Sequence, residues 1–282
     1  MPLTRALEEH EVSPDIRRIY EDVRASFGLP YVPNTFKLLA GIPEYLTLMW
    51  SDLGPVVRSK EFQGAARALH ELVSSMVVSN GWRFSDQAKT LAAQKFSSTD
   101  IGNFAVIAGT IERAAVDLAI FARLAQRGYS GGQKGKTSGT KPSLATAQLL
   151  TLHVPAENDA GLRTWLIYAD IKRTLATKHV FSFFRVLSPF PAYLGSVWLE
   201  SKKLLSQQAF LRGRDELTKR TVSLLVGLPV KDHRAQGKRI APEDWRSVEQ
   251  LIDDSARLMP QMALIASVWR KSFATAYQII AA

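Results

Sequence analysis

The sequence predicts an all-α protein built from two homologous helical repeats that pack as an intramolecular pseudo-dimer. Three observations predict it. Apolar residues recur at helical spacing through most of the chain, and alternating β patterns of useful length are missing. The segment IYEDVRASFGLPYVPNTFKLLAGIPEYLTLMW at 19–50 returns as IYADIKRTLATKHVFSFFRVLSPFPAYLGSVW at 167–198. Between the copies, GYSGGQKGKTSGTKPS at 128–143 is rich in Gly, Ser, Thr and Lys and reads as a flexible linker. The expected division is a first repeat at 1–127, the linker at 128–143 and a second repeat at 144–282.

One constant offset of 148 aligns the two copies without a gap. Ile19/Ile167, Tyr20/Tyr168, Asp22/Asp170, Val32/Val180 and Phe36/Phe184 match, as do Leu39/Leu187, Pro43/Pro191, Tyr45/Tyr193, Leu46/Leu194 and Trp50/Trp198. Chance gives about two identities in such a stretch, so an internal repeat is expected. Two similar half-chains tend to pack like a dimer fused into one polypeptide. The seam between them is a natural place for a pocket.

The elements follow in order. Ser13-Pro14 supplies an N-cap with proline at the first helical position. Ile16, Ile19, Tyr20, Val23 and Phe27 then keep helical spacing until Gly28 and Pro30 stop the helix. A second helix starts at Asn34 or Thr35, a third at Pro43, and a fourth spans Ala65 to Ser79. Ser85 caps a short fifth. Ser98-Thr99-Asp100 opens a long segment to Arg127, with a break expected at Gly109-Thr110. In the second half, Trp165–Leu175, Ser182–Leu187 and Pro191–Leu204 repeat the first three helices, and Asp215–Leu225 follows. Ala241-Pro242-Glu243-Asp244 starts the last long segment, in which Pro260 is expected to open a fresh helix.

Composition excludes several functions. The 282 residues include no cysteine, which removes disulfides, thiolate nucleophiles and dithiol redox chemistry. No apolar run approaches the roughly 20 residues that span a bilayer, and MPLTRALEEHE lacks an apolar signal core. The expectation is a cytoplasmic protein with no membrane partner. The net charge of +10 is dispersed, and its densest cluster, Lys231 to Arg239, lacks interleaved aromatics. A solvated basic surface that favours small anions is expected, not a nucleic-acid partner. The five histidines show no metal-ligand spacing, and there is no Walker or Rossmann glycine pattern. No metal and no cofactor are expected.

IYEDVR, Leu29-Pro30-Tyr31-Val32, KLLAGIPEYLTLMW, SFFRVLSPFP and the later RDELTKR and VGLP carry a resemblance to the group I 2-haloacid dehalogenase (DehI) family, within the alkylhydroperoxidase D-like helical fold. The resemblance covers nearly the whole chain. It implies a helical pseudo-dimer, often a homodimer, whose active site lies between the repeats. It also implies cofactor-independent hydrolysis of small 2-haloacids, with an aspartate as general base that activates water. The alkylhydroperoxidase thiol chemistry itself is ruled out, because Trp82-Arg83-Phe84-Ser85 follows Asn80-Gly81 where a Cys-x-x-Cys pair would stand.

Residue by residue, the family's pocket maps imperfectly. Its serine falls on Ser182 and its aspartate on Phe183, which takes no proton. Its tryptophan falls on Tyr31, its phenylalanine on Asn34 and its asparagine on Ala114. Tyr31, Asn34, Ala114, Ser182 and Phe183 are therefore the expected substrate-binding set, with the base unassigned. Glu112 is one substitute acid, since on a continuous helix it shares a stripe with Ala105, Ala108 and Ala119. Its plainer reading is a first-turn glutamate, capped by Thr110 and facing solvent. His179, three residues before Ser182, is a second candidate, and its plainer reading is a surface turn histidine. Asn34 and Ser182 also suit helix caps. Asp22 is expected to pair with Arg18 one turn away, and Trp50 and Trp198 to pack in the core. The sequence thus points to a DehI-like, hydrolase-type protein that takes a small, anionic, 2-haloacid-like substrate with altered chemistry. The rival is a non-catalytic ligand-binding or scaffold relative.

Overall fold

In a computed structural model, residue 3 and residues 5–138 and 152–273 are described. The described chain is all-helical, and its one β contact is an isolated bridge between Gln133 and Val230. The first half comprises α1 (Pro14–Phe27), α2 (Asn34–Leu39), α3 (Pro43–Val57), α4 (Lys60–Ser79), α5 (Gln87–Ala93) and α6 (Ser98–Tyr129). The second comprises α7 (Leu162–Leu175), α8 (Ser182–Arg185), α9 (Pro191–Leu205), α10 (Gln208–Leu224), α11 (His233–Gln236) and α12 (Pro242–Lys271). None of the described helices is long and apolar enough to cross a membrane.

Helices α1, α3 and α4 start 148 residues before α7, α9 and α10, and α2 starts 148 residues before α8. Local chemistry repeats with them. Ser13 caps α1 by accepting the Ile16 N–H, and Gly28 ends it at φ 61°. Ala176 ends α7 in the same left-handed conformation at φ 48°, where its Cβ is strained. The Trp50 indole N–H donates to Asp22 at 2.7 Å, and that of Trp198 to Asp170 at 2.7 Å. Asp22 also accepts from Arg58 at 2.7 Å, whereas Arg18 pairs with Asp15. The expected Arg18–Asp22 pair is thus replaced by contacts from α3, because the carboxylate leans toward the neighbouring helix. Hydrogen bonds from Lys202 and Trp198 hold the Asp170 carboxyl down to about 2.

Two expected interruptions are absent. Helix α6 runs unbroken through Gly109 and Thr110, and the Thr110 hydroxyl donates back to the Val106 carbonyl instead of capping a new turn. Helix α12 runs unbroken through the buried Pro260. Burial outweighs the local cost, since both helices pack against each other and the sheath of shorter ones. Ser85 does not cap α5; Asp86 does, accepting from the Lys89 N–H at 3.2 Å. Helix α4 begins at Lys60, capped by Ser59, five residues ahead of the expected start.

The segment expected as a linker begins inside a helix, since Gly128 and Tyr129 complete α6. Beyond it, Gln133 exchanges backbone hydrogen bonds with Val230, and its side chain donates to the carbonyls of Leu225 and Leu228 at 2.7 and 2.8 Å. The rest of that segment, residues 139–143, lies outside the described residues. Beneath it, His233 on α11 is fully buried and meets Asp52 of α3 at 3.1 Å. Asp52 also accepts the Lys231 N–H at 2.8 Å. A Cβ at position 128 would lie 2.3 Å from the His233 ring. Gly128→Ala should therefore cost about 1–3 kcal/mol of stability through overpacking. A lower urea midpoint with an unchanged slope is the expected reading, and an unchanged midpoint would count against this account.

Candidate functional site

The α1–α2 and α7–α8 turns face each other across the molecule. Pro33 and Phe181 are the residues before α2 and α8, and neither caps its helix with a side chain. Asn34 and Ser182 instead occupy the first helical positions. The backbone N–H of Asn34 donates to the Ser182 hydroxyl oxygen at 3.3 Å. An open amine end of one half's helix is thus satisfied by a side chain from the other.

Around this junction lies a cavity of about 40 Å³. Tyr31, Asn34, Ala114, Ser182 and Phe183 all line it, so the five expected pocket residues meet at one place. Thr35 and Phe181 join them, with Leu118 from α6 and Met259 and Met262 from α12. None of the side chains lining the cavity is a carboxylate or an imidazole. Phe183 is buried and held edge-on between the Phe184 and Trp269 rings, at centroid distances of 4.6 and 5.3 Å. The Trp269 N–H in turn donates to the Tyr193 hydroxyl at 2.9 Å.

The polar groups of the cavity are neutral hydrogen-bonding groups. Burial raises the Tyr31 phenol above its ordinary range, so it stays protonated as a donor. The Asn34 carbonyl oxygen accepts from the Arg185 guanidinium. That contact fixes the amide, whose NH₂ is what Asn34 has left to offer a ligand. Arg185 is itself 1% exposed and donates from Nε and Nη2 to the Pro155 carbonyl at 2.8 and 2.6 Å. Its nearest carboxylate is Glu8, at 3.8 Å, which also pairs with Lys37. Such a lining can hold a small carboxylate by hydrogen bonds from Tyr31, Asn34 and Ser182. It supplies no side chain that could take a proton from water.

Neither candidate base stands in this cavity. Glu112 is buried, but on another face of α6, where it accepts from Arg270 at 2.9 Å and lies 4.0 Å from His70. The solvent-facing position expected after a helix break does not occur, because α6 is continuous there. Glu112 Oε1 has no hydrogen-bond partner among the described residues. His179 lines a larger cavity of about 210 Å³ on the far side of Asn34 and a polar one of about 460 Å³ beside it. It is half-buried, and burial lowers its pKa, so its ring is neutral at pH 7. Among the described residues, no group of three or more His, Asp or Glu side chains is placed to hold a metal ion.

Asp117 is a further acid beside the cavity that is not among the sequence-based candidates. It lies on α6 between the cavity-lining Ala114 and Leu118, and it keeps only partial exposure. Burial pushes its carboxyl up to about 7, against the pull of Arg113, whose guanidinium donates to the Gly28 carbonyl at 2.6 Å. The signal was an acid in an alanine-rich stretch, the same pattern that drew attention to Glu112 five residues earlier.

The described chain is thus all-helical, with a small polar-edged cavity between two matching turns. Residues 30–184, more than half of the chain, match the family described as Halocarboxylic acid dehydrogenase DehI. The chain belongs to this family, the group I 2-haloacid dehalogenases. It is similar to an (R)-2-haloacid dehalogenase of Pseudomonas putida, 24% identical over 237 residues, which cover 80% of this chain and 77% of that one. A second (R)-2-haloacid dehalogenase, from Rhizobium sp. (strain NHG3), is 23% identical over 236 residues, covering 81% of this chain and 90% of that one. Among solved structures, a D-2-haloacid dehalogenase mutant in complex with D-2-CPA superposes with a TM-score of 0.85, 20% identity and 96% coverage of both chains. A D-2-haloacid dehalogenase with L-LA gives 0.81 and 20% identity, with 98% of this chain and 97% of that one covered. These superpositions establish the fold.

Two outcomes test the site's electrostatics. The Asp117 carboxyl titrates near 7 when folded and near 3.8 when unfolded. The native state therefore binds the extra proton between those values, and stability falls as pH rises across that window. Asp117→Asn should be about 1–3 kcal/mol more stable than the parent at pH 8 and no more stable at pH 3.5. Chemical denaturation at both pH values checks this, and equal gains at both would refute it. Arg185→Met strips the donors from the Asn34 and Pro155 carbonyls and should cost about 3 kcal/mol. Thermal unfolding with a midpoint within a degree of the parent would contradict that role.

Proposed function

We propose that this chain is a two-repeat pseudo-dimer which holds a small, anionic, 2-haloacid-like ligand between its halves, and that its chemistry departs from the water activation implied by the family resemblance. The first repeat is 1–127, the second 144–282, and 128–143 connects them. The matched starts of four helix pairs and the paired Asp–Trp hydrogen bonds support the duplication. The similarity to (R)-2-haloacid dehalogenases supports the ligand class.

One observation carries the altered chemistry. The position that the resemblance assigns to the general base holds the Phe183 ring, and no carboxylate or imidazole lines the cavity to replace it. Hydrolysis at the second carbon of a haloacid needs water to lose a proton as its oxygen displaces halide. Without an acceptor that step loses a factor of about 10²–10⁴. The same observation favours a second reading, a non-catalytic relative that keeps the cavity for binding alone.

A homodimer belongs to the same proposal. Leu162, Trp165 and Leu166 stand 77%, 54% and 56% exposed on α7, where the first-half counterparts are Pro14, Arg17 and Arg18. An apolar face confined to one half is suited to a second copy.

Halide release from both enantiomers of 2-chloropropionate, followed beside binding calorimetry, tests the reading. Binding with release at least about 100-fold slower than by an active relative is expected. Fast release from either enantiomer would overturn it and reveal another base. Phe183→Asp alone should stay inactive, because Tyr31, Asn34 and Ala114 also differ from the residues implied at those positions.

A further inference from the structure

Beside Asn34, a guanidinium and a carboxylate face each other without meeting. Arg185 Nη2 lies 3.8 Å from Glu8 Oε1, beyond hydrogen-bond length. Glu8 gives its other oxygen to Lys37, and Oε1 has no hydrogen-bond partner among the described residues. Arg185 uses Nε and Nη2 on the Pro155 carbonyl and Nη1 on the Asn34 side-chain oxygen. A guanidinium carries five N–H groups, so donors remain. A recessed acceptor left unmatched is costly. A hydroxyl answers both groups, because it accepts from the guanidinium and donates to the carboxylate. A carboxylate cannot donate, and an ammonium cannot accept.

Both groups line the cleft of about 460 Å³, between the N-terminal segment, residues 156–159 and the α7–α8 turn. Small-ligand clefts run from about 300 to 1,000 Å³. Apart from Ala6, Leu38 and Ala156, the lining is polar or charged, so an apolar ligand would find little to touch. Most of its charges are already matched. Arg5 pairs with Glu11, whose second oxygen accepts the Glu8 N–H at 2.8 Å. Lys172 holds Glu157 at 2.6 Å, and the second oxygen of Glu157 accepts the Val180 N–H at 3.0 Å. Asp159 is exposed, where solvent and salt screen its charge. Lys178 is the exception. It donates to the neutral Gln250 side chain at 3.2 Å and has no carboxylate partner among the described residues. The cleft thus sets an exposed, unmatched cation beside a position that calls for a hydroxyl.

We propose that this cleft is a second ligand site, for a small hydroxylated monocarboxylate of the sugar-acid type. Arg185 and Glu8 share one hydroxyl, and Lys178 pairs with the carboxylate. His10, Asn158 and His179 meet the remaining hydroxyls. The site does not rest on the function proposed above, whose cavity shares only Asn34 with this cleft.

Three six-carbon probes separate the two contacts in binding calorimetry. D-Gluconate carries hydroxyls and a carboxylate, sorbitol only the hydroxyls, and hexanoate only the carboxylate. D-Gluconate should saturate a single site with a Kd below about 1 mM, and the other two should bind at least about tenfold more weakly. Glu8→Gln should weaken gluconate about fivefold or more, since an amide accepts less strongly than a carboxylate. Lys178→Gln should weaken it about threefold or more and remove its salt dependence. Tyr31→Phe, which alters the junction cavity, should leave gluconate affinity within about twofold of the parent.

No saturation by about 20 mM gluconate would mean that the cleft holds water alone, and would overturn the site. Sorbitol or hexanoate binding as tightly as gluconate would overturn it as well. So would an affinity unmoved by Glu8→Gln, or one lost with Tyr31→Phe, because the ligand would then sit elsewhere. If Glu8→Gln does not fold, Lys178→Gln and the salt dependence decide, because Lys178 is exposed and supports no packing.

Discussion

The contact between α6 and α12 is the constraint on which the molecule depends. The two helices pack against each other, and each buries a face rich in small side chains. Ala105, Ala108, Ala115, Ala119 and Ala122 on α6 are buried, as are Ser255, Ala256, Ala263 and Ala266 on α12. Small residues let backbones approach, and close packing returns dispersion energy from many weak contacts. With this contact made, α12 continues through Pro260 and α6 through Gly109. Either residue would be a natural stop in an isolated peptide.

With that axis set, the shorter helices bring two turns together at its side. The α1–α2 and α7–α8 turns present Asn34 and Ser182 to each other, and one hydrogen bond joins them. Arg185 ties the same point to the Pro155 carbonyl and to Asn34. A buried guanidinium is costly unless its donors are used. Here they are, which makes the junction rigid where the cavity needs definition. The helices of the axis supply the remaining wall from Leu118, Met259 and Met262. The methionines give that wall a compliant surface, able to adjust to a ligand's shape.

Much of the helical fold was legible because one sequence segment recurs at an offset of 148 residues. Matching Asp22 with Asp170 and Trp50 with Trp198 foretold two equivalent helix pairs, and the indole–carboxylate bonds recur at 2.7 Å in each. The grouping of Tyr31, Asn34, Ala114, Ser182 and Phe183 in one cavity was legible through resemblance, since they lie far apart along the chain. The partners of individual charges were not. Arg18 lies one turn from Asp22 yet pairs with Asp15, and Asp22 turns to Arg58. Glu112 and Asp117 look alike as acids among alanines, but Arg270 partners the first while the second is left with a raised pKa. Periodicity gives a side chain's face on its own helix, not which charge another helix sets opposite.

The sequence by itself determined the helical class, the recurrence of one segment at an offset of 148, the lack of any cysteine and the benzyl side chain at position 183. Each follows from residue identity or from spacing along one chain. Tertiary structure alone decided that both long helices would run unbroken, that the glycine-rich segment would begin inside a helix, and that Ser182 would cap a helix of the other half. It also placed Asn34, Thr35 and Phe181 in the walls of two neighbouring cavities. Those outcomes depend on burial and on distances between remote segments, where the energy of packing exceeds the local preferences that a linear reading can count.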